Sequence, residues 1–563
     1  MSSAMDPSDP SYEQVVKILK LQKTATQNAF QRKGERPRDL PSRAECVKQF
    51  TMASLSVKMQ GMQTGHMMMT TVIGTPYHPS TASLKDLKKV MIKDLTLETN
   101  HRGSYLLLRF ICPAMRMSAV MNIVEDEAGT VMPFALYMQE PESFRTAASI
   151  LKDKSTIILK EPYFKVGTNG QKWRIAGATV AKSADDWKKK GNDFVGKRIQ
   201  ELCNLLLRHR KKKFYTTTEP FLAYELKPAF DAALKDVSFI LNPEVRSEKG
   251  LYRGALALYG LGKYKEALGV LQILVRKYPE SAPGKHEFER TRLRVAEQES
   301  GIYDWKALYK ATKLRPPRMD NATYKGPIEV RESKGRGRGL FITRAVKAGE
   351  LLLCEKAFSY SFAAPPGEMA DISKSMSQSS VLMDVPENRI SRGTHADIIR
   401  DISNKLVLNP SLAASFENLF HGEYDGGGGI LVDGTPVVDT FLVAKTIHQN
   451  CFGCPLTSRD AVYDPELARA SNHKYTEQHQ KGSGTTGIWI LASYINHSCN
   501  PNCRRSFIGD LQIVRAARDM AANTEIMFPY IDGEEPGTLN KKLSKGWRFQ
   551  CDCALCTDQT TPA

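Results

Sequence analysis

The chain has no apolar run of about eighteen residues, the length that a bilayer-crossing helix needs. Its opening stretch, "MSSAMDPSDPSYEQ", lacks a charged start leading into an apolar segment. These two absences predict an intracellular protein with no membrane partner, in the nucleus, the cytoplasm or both. No glycine-rich stretch ends in Gly-Lys-Ser/Thr, so "DGGGGI" near Gly426 and "KGSGTTG" near Gly484 are read as connections, not phosphate cradles. No Ser-His-Asp spacing of a hydrolytic triad is found. Acidic residues are outnumbered 61 to 79, which leaves a net charge of +18 and suits a negatively charged partner such as nucleic acid.

At 563 residues the chain exceeds what one hydrophobic core serves, and three or four domains are expected. Residues 1–56 are read as a helix and a linker: Val15, Val16, Ile18 and Leu19 fall on one face before the proline-bearing "ERPRDLPSR" ends the pattern. Residues 57–185 carry the runs "SYLLLRFICP", "GTVMPFALYMQ" and "STIILKEPYFKVGTNGQKWRIAG", which predict a small β-rich, OB-like barrel. Such a barrel either binds single strands through an aromatic and basic face or serves packing alone. Residues 186–320 turn helical. In "RGALALYGLGKYKEALGVLQILVRKYPES", Gly262, Tyr264, Ala267 and Pro279 stand at the spacing of a tetratricopeptide repeat (TPR), and "AFDAALKDVSFILNPE" resembles the second helix of another. Two partial repeats are too few for a free-standing solenoid, so these helical hairpins are expected to lean on a neighbour, as a peptide-binding groove or as a plain helical block. The basic run "LRHRKKKF" (Leu207 to Phe214) is either an import signal or a solvated helix end. "LRPPRMDNATYKGP" (Leu314 to Pro327) reads as the boundary to a last domain, 321–563.

Eleven cysteines in a chain read as intracellular are expected to be reduced or metal-bound, and seven of them stand in the last 113 residues. Cys551, Cys553 and Cys556 form C-x-C-x-x-C, one ligand short of a closed tetrahedral zinc site. Cys451 and Cys454 in "CFGC" have no partner pair nearby, and with Cys503 they are read as buried thiols. Asn496 and His497, costly to bury unless hydrogen-bonded, precede Cys499 in "SYINHSCNPNC". Gly337 and Gly339 in "RGRGLF" remove side chains where backbone approaches a ligand.

Five segments follow in order: "KGRGRGLFITRAVKAGELLLCEKAF", "NCFGCP", "YINHSCNPNC", "EIMFPY" and "WRFQCDCALC". Together they resemble the SET-domain protein lysine methyltransferases. The split arrangement is most similar to the SMYD-like subgroup and to fungal proteins joining TPR and SET domains. The resemblance implies a multidomain α+β chain ending in a SET β-fold, with a helical insert at about 359–440 centred on His395 to Phe420 and a zinc-binding post-SET tail at 547–556. It implies S-adenosylmethionine as cofactor, held by Gly337, Arg338, Asn450, Asn496, His497, Tyr530 and Phe549, with Phe549 stacking on adenine. The subgroup usually carries a small polar residue where Arg338 stands, so its backbone is what carries over. The resemblance makes Cys499 the fourth zinc ligand and Tyr530 the catalytic residue, orienting a neutral lysine amine. It implies a protein substrate, histone or non-histone, presenting a lysine, and a chromatin setting. One departure stands out: residues 359–440 contain no cysteine, so the MYND zinc module of that subgroup is absent. The alternative is an inactive SET/TPR scaffold with nucleic-acid binding by its N-terminal region.

Overall fold

The computed structural model of the chain describes residues 12–166, 173–177, 229–238, 246–363, 377–455, 458, 485–531 and 536–557, apart from positions 38–39, 65, 118, 141, 143–144, 315, 388 and 428–429. The basic run 207–214, the expected 185/186 boundary and any helix between Trp187 and Pro228 lie outside the described residues, as do residues 481–484 of the "KGSGTTG" connection. Helices and strands are mixed throughout, an α+β architecture.

Residues 88–177 build a sheet that returns on itself. Strand Ser104–Phe110 turns Leu106, Leu108 and Phe110 into the core while Arg109 stays exposed, the period-two pattern of a half-buried strand. It pairs antiparallel with Thr156–Lys160 and, at its end, with Val120–Glu125. Val120–Glu125 makes a hairpin with Val131–Leu136, which runs parallel to Trp173–Gly177, itself antiparallel to Tyr163–Val166. Thr156–Lys160 and Tyr163–Val166 are successive parts of one bent stretch, so the two ends of the sheet meet there.

The expected 56/57 division is corrected, because the helix Arg43–Thr64 runs across it. Its Met, Gln and Lys residues are good helix formers but show no clear apolar period, so pattern reading missed it. Cys46 and Phe50 of this helix pack with Met121, Ile123, Val131 and Ala135, covering one face of the sheet. The strand that follows, His66–Ile73, does not join that sheet. It pairs in parallel with Ser377–Asp384, from His66 opposite Ser377 to Ile73 opposite Asp384, and so completes a sheet of the insert.

Helices Phe230–Ser238, Glu248–Gly260, Tyr264–Lys277 and Ala282–Ser300 pack one against the next. A Cβ at Gly260 would come within 1.9 Å of the Phe230 ring, so only glycine permits this approach. The segment 314–327, read as a boundary, is instead a packed joint: Met319 and Ala322 are buried, and Asp320 accepts from Tyr259 Oη at 2.6 Å and pairs with Arg290 at 2.7 Å. Its prolines suggested a linker, but burial and ion pairing are tertiary and leave no local mark.

The C-terminal region stacks small sheets, of which the largest orders Tyr324–Lys325, Leu351–Lys356, Leu511–Ala516 and Cys503–Ile508. Between its halves stands the insert. It has the expected helices, Thr394–Leu408 and Ala413–Glu417, but also the strands Ser377–Asp384 and Arg389–Arg392 and the hairpin Ile430–Val432 with Thr435–Val437. A further helix, Thr440–Asn450, leads out of it, capped by Asp439 accepting from Phe441 N and Leu442 N.

His395 and His448 stack between these helices, ring centroids 5.1 Å apart. Nδ1 of His395 and both nitrogens of His448 find no hydrogen-bond partner among the described residues. Burial, with Arg389 adding to it, holds His395 down to about 4 from its usual 6.5. The folded state therefore keeps this imidazole neutral while the unfolded chain takes a proton below 6.5, and stability falls as pH drops from 6.5 toward 4. The full depression corresponds to roughly 3 kcal/mol. The thermal midpoint is expected to fall across that window, and His395→Phe should make the fall shallower; equal slopes for the two proteins would show that this imidazole does not carry the effect.

Candidate active site

Several distant segments meet at one place. The hairpin Ile328–Ser333 with Gly337–Ile342 sets Ser333 opposite Gly337. Gly337 has φ 72°, a left-handed conformation that costs other residues about 1 kcal/mol. At Gly339 the constraint is space: a Cβ would stand 2.2 Å from Glu525 Oε1 and 3.1 Å from Asn496 Nδ2. Both glycines thus have a reason within the protein itself.

Asn496–His497 pairs in parallel with Met527–Phe528. Asn496 Nδ2 donates to Glu525 Oε1 at 2.7 Å and to the Arg338 carbonyl at 3.1 Å. The other oxygen of Glu525 accepts from Ser333 Oγ at 3.0 Å. His497 is buried, and its Nδ1 accepts from the backbone N–H of Tyr530 at 3.0 Å, which leaves any ring proton on Nε2. Burial, then the charge of Arg336, lowers this imidazole to about 4, so it is neutral near pH 7. Tyr530 donates through its hydroxyl to the Ile495 carbonyl at 3.0 Å, and its ring centroid lies 5.3 Å from His497 and 5.2 Å from Trp547. Burial, then the nearby Glu525 charge, raises the phenol well above its ordinary range, so it is an uncharged hydroxyl.

The tail closes one side. Trp547, at the end of the helix Pro536–Trp547, donates from Nε1 to the Gln449 carbonyl at 3.1 Å. The Phe549 ring centroid is 5.9 Å from His497. Cys499, Cys551, Cys553 and Cys556 bring their sulfurs within 4.8 Å of one another, with 3.7 Å from Cys499 to Cys551 and 3.5 Å to Cys556. Four sulfurs each about 2.3 Å from a common centre are about 3.8 Å apart, so this donor set fits a tetrahedral ion. Among the described residues no other such cluster forms; Cys451, Cys454 and Cys503 form no disulfide and stand outside it.

Most of the residues singled out from sequence converge here, with two qualifications. The Arg338 guanidinium turns to the insert, donating to the Asn418 carbonyl and lying 5.0 Å over the Tyr494 ring, while its carbonyl stays at the site. Asn450 ends its helix with Nδ2 donated to the carbonyls of Phe420 and Thr446, both at 2.7 Å, and it meets the motif through its own carbonyl, which accepts from Ser493 Oγ at 3.4 Å.

Sequence reading assigned nothing to four further residues. Arg336 pairs with Asp552 between two of the tail cysteines, and Trp547 and Glu525 act as described. Glu355 is the fourth: its fully buried carboxylate accepts from Leu491 N at 2.8 Å and Ala492 N at 2.9 Å, holding the turn that leads into Asn496. Burial pushes Glu355 up to about 7 against those two bonds. The available signal was a lone acid beside an apolar run, "LLLCEK" and "EIMF".

Residues 337–531 match the SET domain. A methyltransferase of Gibberella zeae is 40% identical over 521 residues, which cover 86% of this chain and 70% of that protein. The human histone-lysine N-methyltransferase SMYD3 is 36% identical over 81 residues, 14% of this chain and 18% of its own. The Schizosaccharomyces pombe histone-lysine N-methyltransferase set5 is 35% identical over 136 residues, 22% and 41% of the two chains. The matched domain defines the class, a SET-domain protein. With a relative that similar over most of both lengths, the chain belongs to the SET-domain protein-lysine methyltransferases.

Gly339→Ala is expected to push the Glu525 carboxylate aside and break its bonds to Ser333 and Asn496, costing about 1–3 kcal/mol. Thermal unfolding checks this; an unchanged midpoint would mean that the carboxylate relocates without loss.

Proposed function

We propose that the chain transfers a methyl group from S-adenosylmethionine to a lysine side chain of a protein. The observation that carries this reading is the convergence of Tyr530, Asn496, His497 and the four cysteines on one site beside the glycine hairpin. The cofactor supplies the methyl on a sulfonium sulfur. Gly337 and the Arg338 backbone, Asn450, Asn496, His497, Tyr530 and Phe549 are assigned to hold it. The fit is supported by the two asparagines, whose Nδ2 hydrogens are spent on protein oxygens and whose Oδ1 atoms have no donor among the described residues. They suit a ligand rich in N–H groups.

Tyr530 is assigned to orient the lysine amine. Its hydroxyl is uncharged and fixed by the Ile495 carbonyl, so it aligns an amine for in-line attack without acting as a strong base. The aromatic walls Tyr530, Trp547, Phe528 and Phe549 exclude water, and desolvation favours the neutral amine that attack requires. Cys499, Cys551, Cys553 and Cys556 are assigned to a structural Zn2+ that ties the tail to the Asn496–His497 segment. Histone lysines are the first substrates to assay, because two of the relatives are named for them.

The upstream modules are read as architecture for this site. The strand order of residues 88–177, with the parallel pairing of Val131–Leu136 and Trp173–Gly177 and its bent closing stretch, supports the OB-like reading. In such barrels the second and third strands offer the nucleic-acid face, and here the helix Arg43–Thr64 lies over Val120–Glu125 and Val131–Leu136. That favours packing over single-strand binding. The sequential packing of Phe230 to Ser300 supports the TPR-like reading, with a peptide partner as its further possibility.

Purified protein is expected to label histones or another protein with a methyl group from the cofactor. Tyr530→Phe should lower kcat at least about tenfold while cofactor affinity changes less; full labelling by this variant would overturn the role given to Tyr530. Cys556→Ser should lose zinc, measured as metal per chain, and weaken cofactor binding about tenfold or more. A variant with intact affinity would remove the metal from the making of the pocket.

A further inference from the structure

Glu525 stands inside the proposed site without a part in the chemistry above. Its two carboxylate oxygens take separate donors, Asn496 Nδ2 at 2.7 Å and Ser333 Oγ at 3.0 Å. Its backbone is held as well: its carbonyl accepts from Asn502 Nδ2 at 2.7 Å, and it bridges to Phe341. The missing Cβ of Gly339 makes the room that Oε1 occupies. One carboxylate thus joins the glycine hairpin, the Asn-His segment and the strand that leads to Tyr530.

The chemistry of the partners settles how the Asn496 amide is turned. A carboxylate and a carbonyl only accept hydrogen bonds, so Glu525 Oε1 and the Arg338 carbonyl must both face the nitrogen. A half-turn of the amide would set Oδ1 against two oxygens. Both hydrogens are therefore consumed, and Oδ1 is the group left for a ligand. Asn450 is turned the same way by two carbonyls. The Oδ1 acceptors left at both asparagines match a cationic, hydrogen-donating ligand group.

Building on the methyltransferase reading, we propose that Glu525 is a positioning residue: it locks the Asn496 amide with its oxygen toward the ammonium of the cofactor's amino-acid end. Glu525 acts through Asn496 and touches no reacting atom. Ser333 and the gap at Gly339 hold the carboxylate in the one place from which it can do so.

The test is cofactor binding by the full chain, with S-adenosylhomocysteine as the stable probe and thermal unfolding recorded beside it. Glu525→Ala should raise Kd about tenfold and raise KM for the methyl donor more than it lowers kcat. Glu525→Gln keeps an acceptor opposite Asn496 Nδ2 and should bind within about threefold of the parent. In a double-mutant cycle, Glu525→Ala should add little to Asn496→Ala, because the first acts through the second. Removing the amino group from the probe should weaken binding to the parent protein and matter less to Glu525→Ala. The proposal is overturned if Glu525→Ala binds like the parent, if a folded Glu525→Gln binds as poorly as Glu525→Ala, or if the two alanine effects multiply. If Asn496→Ala itself binds normally and no methyl transfer is found, the methyltransferase reading fails; if Asn496→Ala is impaired while Glu525→Ala is not, only the positioning role falls.

Discussion

The rest of the site depends on one constraint: residues 495–498 carry polar groups into a crowded place, and each group must find a partner there. The Ile495 carbonyl takes the Tyr530 hydroxyl, Asn496 spends two hydrogens on Arg338 and Glu525, His497 accepts the Tyr530 N–H, and Ser498 N donates to the Phe528 carbonyl. Satisfying four residues in this way leaves the strand Met527–Phe528 one register and Tyr530 one orientation. The geometry of the candidate site follows from hydrogen-bond bookkeeping over four consecutive residues. Apolar packing around Tyr530 then excludes water, but it does not choose the direction in which the hydroxyl points.

The tail has a different status. Trp547 makes one hydrogen bond to another segment, Cys551 bonds back to Asn540 of the preceding helix, and the Arg336–Asp552 and Arg548–Glu387 pairs are largely solvated, each worth about 1 kcal/mol or less. Its apolar cluster, with Ile531, Leu539 and Leu543 at the centre, is small. Four thiols gain little from mere proximity, whereas four thiolates on an ion gain much. On the zinc reading, most of the energy that holds Phe549 and Trp547 against the site therefore comes from the metal. That explains why a sequence so sparing in tail contacts places three cysteines within six residues.

What was legible in the sequence was what leaves a local mark. C-x-C-x-x-C, the paired glycines and the Asn-His dipeptide each impose a residue type at a spacing, and the structure brings those segments together. Glu525 was quoted within its motif and given no part, because a single acid has no spacing to read; its meaning lies in Ser333 and Asn496, both far away in sequence. The parallel pairing of His66–Ile73 with Ser377–Asp384 was hidden for a related reason, since parallel partners are joined by crossovers and show no turn chemistry. The Arg338 side chain was beyond reach because its partner, the Asn418 carbonyl, is backbone.

Part of the insert is completed from far away in the sequence. The N-terminal segment supplies the strand His66–Ile73, and the sheet of residues 88–177 docks alongside through Asp433, which accepts from Ser83, Leu84 and Lys160. Tyr77 stacks on Tyr163 of that sheet at 4.7 Å and meets Phe441 edge-on at 5.1 Å. Phe441 stands at the start of Thr440–Asn450, whose cap Asp439 also accepts from Tyr424. The other end of that helix is Asn450, with Gln449 holding Trp547. Eleven residues of helix, about 16 Å, thus separate the contact with that sheet from the candidate active site. A rigid rod anchored by aromatic packing at one end positions an amide at the other, so the N-terminal half of the chain belongs to the structure of the site and is more than an appendage to it.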